Sequence, residues 1–246
     1  MRFDNKLAFN ERTGRNCRVK SLKIGVFGGT FNPVHFGHLQ IARKIQALFS
    51  LSQIQFVVAT VPPHKHADDL IQFYHRYAMV SLATGVSPLF IPSLIELAPQ
   101  ASPFSIDTMN KLAHWVSRDN NVLYFIAGGD SLLDVKTWRE SEKLLNSYNF
   151  IFVKRPGIQP CSPLDALSDK TFSRVRDFTG LKRIQARQRI AEEEGDESRI
   201  YIVDIGAPDI SSTRIRERIA SGKSIQKMTP GPVCEYIRKL HLYGGR

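Results

Sequence analysis

Residues 28–38 of this 246-residue chain read Gly28-Gly29-Thr30-Phe31-Asn32-Pro33-Val34-His35-Phe36-Gly37-His38. They follow a short apolar run at residues 24–27, and a helical pattern of apolar residues begins at Gly37. Two glycines between a strand and a helix let backbone N–H groups approach an anion closely. This stretch therefore predicts a strand, a phosphate-binding turn and a helix, in that order.

Two histidines, His35 and His38, lie at the start of the predicted helix. Their imidazoles can donate hydrogen bonds to phosphate oxygens, and the positive end of the helix dipole favours an anion there. A zinc pair is disfavoured because the neighbouring sequence offers no third ligand and the HExxH spacing is absent. A lone histidine is more often structural, but two in a glycine-rich turn favour phosphate chemistry.

Apolar runs and helical patterns alternate along the rest of the chain. Further strands are predicted at residues 54–59, 88–94, 122–127, 150–153 and 200–205, and helices at residues 69–84, 105–116, 141–145, 211–220 and 232–240. Several strands are apolar throughout, which indicates an α/β fold with a doubly wound parallel sheet and helices on both faces. Such sheets bind ligands at the carboxyl ends of their strands.

The composition excludes several classes of protein. Apolar residues make up 42% of the chain, so extensive disorder is excluded, and no stretch approaches the roughly 18 apolar residues of a membrane span. Three scattered cysteines exclude a disulfide framework and a cysteine zinc site. The N-terminus lacks the apolar core of a secretory signal. We therefore expect a cytoplasmic protein without a membrane partner.

The net charge of +11 favours polyanionic partners. Basic residues are concentrated at residues 1–21 and 170–189, and no aromatic residue is interleaved with the second group after Phe178. A solvated tail and a solvated helix explain these groups better than a nucleic-acid groove does. We expect residues 1–21 to be a loosely ordered basic extension and residues 22–246 one domain, with a charged insertion at 158–199 and a C-terminal helical part at 207–246.

A second candidate anion site, Ile210-Ser211-Ser212-Thr213-Arg214-Ile215-Arg216, follows the predicted strand 200–205. Serine and threonine are common helix N-caps, so this segment can be a simple helix start. Three hydroxyls, free N–H groups and Arg216 one turn later also describe an anion site. Taken with the histidine turn, the segment predicts the second half of a triphosphate cradle.

Two further segments carry polar groups at strand ends. Pro62-Pro63-His64-Lys65 is either a stiff loop that presents two basic side chains or a turn with solvated charges. Gly128-Gly129-Asp130 ends a predicted strand with a carboxylate that suits the two hydroxyls of a ribose. Asp130 can also be the N-cap of the next helix, and the two roles are compatible.

The turn at 28–38 together with residues 210–216 closely resembles the HIGH-superfamily nucleotidyltransferases, with His35-Phe36-Gly37-His38 at the signature. Within that superfamily, residues 62–65, 96–109, 125–138 and 152–157 resemble bacterial nicotinate-nucleotide adenylyltransferases. The resemblance covers about residues 22–157 and 200–243. It implies a Rossmann-like fold that makes deamido-NAD and pyrophosphate from ATP and nicotinate mononucleotide, for NAD biosynthesis.

The resemblance also implies roles for individual residues. It implies that His35, His38 and Arg216 are catalytic. It implies an ATP site formed by Gly28, Gly29, Thr30, Phe31, His38, Gly128, Asp130, Ile210, Ser211, Ser212, Thr213 and Arg216. It implies a mononucleotide site formed by Thr30, His35, His64, Lys65, Phe104, Ser105, Thr108 and Trp138.

No protein ligand for a metal is expected. Mg²⁺ would bridge phosphate oxygens while keeping several waters, so a carboxylate cage is not required. The mononucleotide phosphate would attack the α-phosphate of ATP directly and in line, because a phosphate monoester is already a nucleophile near neutral pH. Catalysis then consists of alignment and charge stabilisation.

Other functions remain open at this point. Phosphopantetheine adenylyltransferase and nicotinamide-mononucleotide adenylyltransferase share the superfamily. A nucleic-acid-binding protein would use the basic segments, but it leaves the paired glycines and histidines unexplained. A homo-oligomer is possible.

Overall fold

The central element of the computed structural model is a sheet of seven parallel strands. The structure describes residues 21–60, 70–97, 102–116, 121–154, 168–193, 197–206 and 208–244. Within these ranges the strands are β1 (Lys23–Gly29), β2 (Gln53–Val58), β3 (Phe90–Ser93), β4 (Val122–Gly128), β5 (Asn149–Val153), β6 (Val175–Asp177) and β7 (Ile200–Val203). Their order across the sheet is β3-β2-β1-β4-β5-β7-β6.

Helices connect the strands. They are α1 (Phe36–Phe49), α2 (Phe73–Thr84), α3 (Ser105–Val116), α4 (Gly129–Asp134), α5 (Ser141–Ser147), α6 (Asp169–Phe172), α7 (Arg183–Glu192), α8 (Ser212–Ala220) and α9 (Gly231–Lys239). Short 3₁₀ turns follow β3 at Ile95–Leu97 and α4 at Val135–Thr137. None of the helices in the described ranges has the length and apolar character needed to cross a membrane.

Alternating side chains of each central strand enter two separate cores. In β5, Phe150 and Phe152 pack with α3, α4 and α5, whereas Ile151 and Val153 pack with α1, α2, α7, α8 and α9. All four side chains are fully buried. Burial on both faces explains why these strands are apolar throughout rather than alternating with polar residues. The predicted Rossmann-like, doubly wound sheet with helices on both faces is confirmed.

The six strands predicted from sequence are all present, but the structure adds one. β6 comes from the charged insertion 158–199, in which we predicted no strand, and it pairs in parallel with β7 at the sheet edge. The same segment contains α7, which packs against α1. A three-residue strand at an edge needs little apolar character, so hydrophobic patterning gave no signal for it. α2 also differs, since it begins at Phe73 rather than near residue 69.

The order of strands reverses between β1 and β4. From β1 the chain proceeds outward to β2 and β3, and it then returns to β4 on the other side of β1. In the register of this pair, Phe27 of β1 lies opposite Ile126 of β4. The glycines that end the two strands, Gly28-Gly29 and Gly128, are therefore neighbours at one crevice, where sheets of this kind bind their ligands.

Candidate active site

The turn after β1 is folded back onto the core by Phe31. Phe31 has a positive φ of 48° and is 2% exposed, and its ring contacts the rings of Phe27 and Phe56. A Cβ on Gly29 would lie 2.9 Å from the Phe31 ring, so a glycine is required at that position. Because the side chain of Phe31 is buried, only its backbone can meet a phosphate.

The two histidines contact each other at the start of α1. The backbone N–H of His35 donates to Nδ1 of His38 at 3.2 Å, and the two ring centroids are 3.7 Å apart. Since Nδ1 of His38 accepts this bond, the neutral imidazole carries its proton on Nε2. His35 is buried and His38 is half-buried, with its ring edge against Phe31. His38 therefore offers an N–H donor beside the turn.

Gly37 lies between the histidine pair and the second predicted segment. A Cβ at this position would be 2.8 Å from Cε1 and Nδ1 of His35 and 3.5 Å from the carbonyl oxygen of Ile210. The absence of a side chain thus allows the His35 imidazole to lie across the helix start. It also allows residues 208–211 to approach the helix closely.

The second segment contacts the turn directly. Ser211 is the N-cap of α8, and its hydroxyl accepts a hydrogen bond from the Arg214 amide at 3.2 Å. The Ser212 hydroxyl donates to the carbonyl oxygen of Pro33 at 2.9 Å, and Arg216 Nη1 donates to the carbonyl oxygen of Asn32 at 2.9 Å. The expectation that residues 28–38 and 210–216 meet in space is confirmed. Their roles toward ATP stay predictions, because in this structure both donors hold the backbone of the turn.

Further side chains that the sequence did not single out hold the same turn. The Thr229 hydroxyl donates to the carbonyl oxygen of Val34 at 2.8 Å, and the Tyr243 hydroxyl donates to Oδ1 of Asn32 at 2.8 Å. Arg76 donates to the carbonyl oxygen of Thr30 at 2.9 Å. In the sequence, Arg76 could have been noticed as a charged residue among the apolar residues of a helix. Nothing in the sequence marked Thr229 or Tyr243.

Burial shifts the pKa of two groups beside the turn. Desolvation raises the pKa of the Tyr243 hydroxyl far above its ordinary value, although the Arg216 and Arg76 guanidiniums oppose the rise. Desolvation also raises the pKa of the Glu96 carboxyl, and hydrogen bonds from the amide and hydroxyl of Thr60 oppose that rise. Both residues are half-buried, and this partial burial is the largest cause of each shift.

The predicted mononucleotide residues are partly brought together. Phe104 and Trp138 both pack on the core that contains α3, and the Trp138 ring meets Phe125 edge-on at 5.8 Å. Arg139, which the sequence did not indicate, places its guanidinium 5.0 Å from the centre of the Phe104 ring and 3.7 Å from the Asp107 carboxylate. Arg139 therefore places a cation beside one of the predicted mononucleotide residues.

The remaining predicted residues have different positions. Ser105 begins α3, whereas Thr108 is 4% exposed and donates from its hydroxyl to Oε1 of Glu96 at 3.4 Å. Gly128 is the N-cap of α4, which includes Asp130. His64 and Lys65 lie outside the described residues.

A protein-held metal centre has no support in the described ranges. No group of three or more His, Cys, Asp or Glu side chains there could hold a metal ion. The donors around the turn are N–H and O–H groups, which bind anions rather than cations. This donor set suits Mg²⁺ that arrives already bound to substrate phosphates.

Comparisons with known proteins agree with this arrangement. A family model described as cytidylyltransferase-like matches residues 26–218. A protein of Thermoanaerobacter sp. named "Probable nicotinate-nucleotide adenylyltransferase" is 34% identical over 224 residues, which cover 91% of this chain and 95% of the relative. A protein of the same name from Geotalea uraniireducens is 36% identical over 222 residues, covering 90% and 98% of the two chains.

Solved structures share the fold. Plasmodium falciparum nicotinic acid mononucleotide adenylyltransferase in complex with NaAD superposes with a TM-score of 0.65 at 20% identity, covering 90% of this chain and 97% of that one. The same enzyme in complex with APC gives a TM-score of 0.64. A parallel sheet with its glycine turn and histidine pair at the switch point defines a nucleotidyltransferase. The chain belongs to the nicotinate-nucleotide adenylyltransferases of the cytidylyltransferase-like family.

Proposed function

We propose that the protein transfers the adenylyl group of ATP to nicotinate mononucleotide and releases pyrophosphate and deamido-NAD, a step of NAD biosynthesis. The observation that carries this proposal is the pair of hydrogen bonds from Ser212 and Arg216 to the backbone of Pro33 and Asn32. These bonds join two anion-binding segments at one crevice. Two polyanionic substrates need such a joint site, because they repel each other in solution.

The transfer is an in-line displacement. A phosphate oxygen of the mononucleotide attacks the α-phosphorus of ATP, a new P–O bond forms, and the bond from the α-phosphorus to the bridging oxygen breaks. The electron pair of that bond leaves with pyrophosphate. The nucleophile has a second pKa of about 6, so no Ser–His pair is needed to activate it.

The residues of this chain align the phosphates and stabilise the developing charge. His38 would donate from Nε2 to the transferred phosphate, because its Nδ1 already accepts the His35 amide. Backbone amides of the turn and the positive N-terminal end of α1 would neutralise further charge. The second guanidinium nitrogen of Arg216, Nη2, lies 3.4 Å from the Thr213 hydroxyl, so the two groups can receive the departing pyrophosphate together.

Magnesium would enter as part of the substrate. Mg²⁺ bound to the phosphates of ATP would supply positive charge for the leaving pyrophosphate.

Recognition of the nicotinate carboxylate would come from two sources. The amides at the start of α3 form a site that favours an anion. The Arg139 guanidinium beside Phe104 adds a cationic donor, which it shares with the Asp107 carboxylate at 3.7 Å. A neutral carboxamide gains from neither charge, so the acid is expected to be preferred over the amide.

A pyrophosphate-release assay tests the proposal. The full chain is incubated with ATP and Mg²⁺ and with nicotinate mononucleotide, nicotinamide mononucleotide or phosphopantetheine in turn. We expect the highest kcat/KM with nicotinate mononucleotide. Equal values for the two mononucleotides would argue against carboxylate recognition, and activity with phosphopantetheine alone would replace the proposed acceptor.

A cytoplasmic location and a homo-oligomer stay predictions. Nucleic acid is not proposed as a partner. The histidine pair and the joined segments serve small phosphorylated molecules, and a groove for a polymer would need stacking aromatics that the basic segment after Phe178 lacks.

A further inference from the structure

A buried cation lies beneath the phosphate turn. Arg76 of α2 is 1% exposed, although arginine is among the residues that are almost never fully buried unless they are paired. The resemblance assigned it no role. The contacts of the Arg76 side chain explain why a guanidinium occupies a core position.

The Arg76 guanidinium donates to four backbone carbonyl oxygens. Nη1 donates to Thr30 at 2.9 Å and to Ala59 at 2.6 Å. Nη2 donates to Thr60 at 3.1 Å, and Nε donates to Ile71 at 3.1 Å. These acceptors lie just after β1, just after β2 and just before α2. One side chain thus ties together three chain segments at the carboxyl edge of the sheet.

Arg76 occupies the position where the ladder between β1 and β2 ends. Gly29 and Val58 are the last paired residues, and the Ala59 amide donates to the carbonyl oxygen of Gly29 at 2.9 Å. Beyond this bond the two chains separate, and a single nitrogen of Arg76 holds the carbonyls of Thr30 and Ala59. The guanidinium therefore takes the place of the next hydrogen bond between the two strands. It sets the distance between the segments that follow β1 and β2.

Holding the Thr30 carbonyl also fixes the amide that follows it. In a trans peptide the C=O and the next N–H point in opposite directions, and the bond from Thr30 to Phe31 is trans. The Thr30 carbonyl faces Arg76, so the Phe31 N–H faces away from it. Any movement of the guanidinium would rotate this amide of the phosphate turn.

A half-buried carboxylate holds the other side of the same edge. Oε2 of Glu96 accepts from the Thr60 amide at 2.9 Å and from its hydroxyl at 3.3 Å, while Arg76 donates to the Thr60 carbonyl. Thr60 is thus fixed at both its amide and its carbonyl by opposite charges. Desolvation lowers the pKa of Arg76, and Tyr243 and Glu96 oppose that shift. A guanidinium remains charged under these conditions, whereas burial readily lowers the pKa of a lysine ammonium.

We propose that Arg76 is a positioning residue for adenylyl transfer: by holding the carbonyls of Thr30, Ala59 and Thr60, it sets the direction of the amides that receive the reacting phosphates. This inference rests on the proposed function. The role requires the four-point contact of the guanidinium, and a positive charge alone does not provide it.

The decisive variant is Arg76→Lys, whose single side-chain nitrogen cannot reach all four carbonyls. We expect kcat to fall about 10²-fold, the effect of a misplacement of about 1 Å, with a change in KM for ATP of less than about threefold. Arg76→Gln, which keeps two donors without a charge, should be impaired further. Steady-state kinetics for ATP and for nicotinate mononucleotide measure both parameters.

Arg174→Lys is the matched control. Arg174 also donates to backbone carbonyls, those of Ser198 at 2.8 Å and Leu145 at 2.9 Å, and burial lowers its pKa as well. It lies immediately before β6, and its acceptors precede β7 and β5, at the opposite edge of the sheet from the crevice. We expect this variant to lose thermal stability comparable with that of Arg76→Lys and to keep wild-type kcat.

Amide hydrogen exchange supplies a readout that does not depend on turnover. In Arg76→Lys, exchange should accelerate at residues 27–34 and 56–60 and stay unchanged in β5 and β7.

Wild-type kinetics in Arg76→Lys, or equal losses of kcat in Arg76→Lys and Arg174→Lys, would overturn the proposal while leaving the proposed function intact. If neither Arg76 variant folds, Arg76 is required for the stability of the whole fold, and the proposal is overturned as well. A wild-type chain that releases no pyrophosphate with any acceptor would remove the proposed function itself.

Discussion

The Arg216 guanidinium lies 2.9 Å from the carbonyl oxygen of Asn32, a residue 184 positions earlier in the chain. This hydrogen bond attaches the last strand-to-helix connection of the sheet to the first one. It gives Arg216 a structural role in addition to its proposed role in phosphate binding, because Nη1 holds the turn and Nη2 lies near the Thr213 hydroxyl. The two halves of the crevice are therefore mechanically joined before any substrate arrives.

Substitution of Arg216 tests this joint. We expect Arg216→Ala to raise KM for ATP and to lower kcat, since it removes a charge from the triphosphate and a donor from the Asn32 carbonyl. An ATP titration at saturating mononucleotide measures both parameters. Arg218→Ala, on the same helix with its Nε on the Ser224 carbonyl, is the control and should behave like the wild type. Unchanged ATP kinetics in Arg216→Ala would contradict the assignment.

Loss of the His38 imidazole should affect the chemical step. We expect His38→Ala to lower kcat about 10²–10³-fold, which corresponds to about 2.7–4 kcal/mol, because a donor to the transition state is lost. The affinity for ATP, measured by calorimetry, should change much less. His114→Ala is the control, since His114 is exposed near the end of α3. A folded His38→Ala protein with near-normal turnover would exclude the role.

A methyl group at Gly37 should disturb the site more than the fold. In Gly37→Ala the new Cβ would lie 2.8 Å from the His35 ring, so the imidazole must move. Alanine favours a helix over glycine by about 1 kcal/mol, which offsets part of the cost in stability. We expect a loss of kcat greater than tenfold with a small change in Tm. Gly231→Ala, where a Cβ meets nothing within 4 Å, should leave both quantities unchanged.

The buried Tyr243 hydroxyl predicts a dependence of stability on alkaline pH. Its pKa is raised in the folded chain by desolvation, so folding favours the protonated phenol. The stabilisation is complete below the unfolded pKa of about 10 and is lost as the pH rises above that value. Urea unfolding between pH 8 and pH 11 should show a decline in wild type that is smaller in Tyr243→Phe. Tyr74→Phe, at an exposed tyrosine, should decline like the wild type.

Tyr243→Phe should also be less stable at neutral pH. It removes the hydrogen bond to Oδ1 of Asn32, which is worth about 1 kcal/mol. Equal alkaline declines in the wild type and in Tyr243→Phe would show that another group titrates.

Arg139 should contribute to the choice between acid and amide. We expect Arg139→Met to lower kcat/KM for nicotinate mononucleotide about tenfold and to leave the value for nicotinamide mononucleotide nearly unchanged, as expected for a lost charge–charge contact. Lys143→Met, at an exposed lysine paired with Glu140, is the control. A constant ratio of the two kcat/KM values in Arg139→Met would assign acid recognition to the amides of α3 alone.

The sequence predicted the parts of this molecule that depend on local patterns. The glycine turn, the histidine pair and the hydroxyl-rich start of α8 are local signals, and the strands that end in them are apolar over several residues. Physical rules for parallel sheets then place these ends at a common edge. The contact of Ser212 and Arg216 with the turn follows from those rules.

Other parts depend on tertiary contacts, and patterning could not reveal them. β6 is three residues long, and only its pairing with β7 makes it a strand. Thr229 and Tyr243 act through single hydrogen bonds to oxygens of a distant turn, and the charge of Arg76 within an apolar helix did not indicate that one of its four hydrogen bonds reaches the same turn. Arg139 was missed for the same reason, since its neighbour Phe104 lies 35 positions earlier and on another helix start. Side chains of this kind carry no periodicity and no motif.

The bond between Tyr243 and Asn32 has a consequence for the order in which the site can form during synthesis. A polypeptide is made from its N-terminus, so residues 28–38 exist long before residue 243. A nascent chain can therefore build most of its sheet before the tyrosine that braces the imidazole-bearing loop has been made.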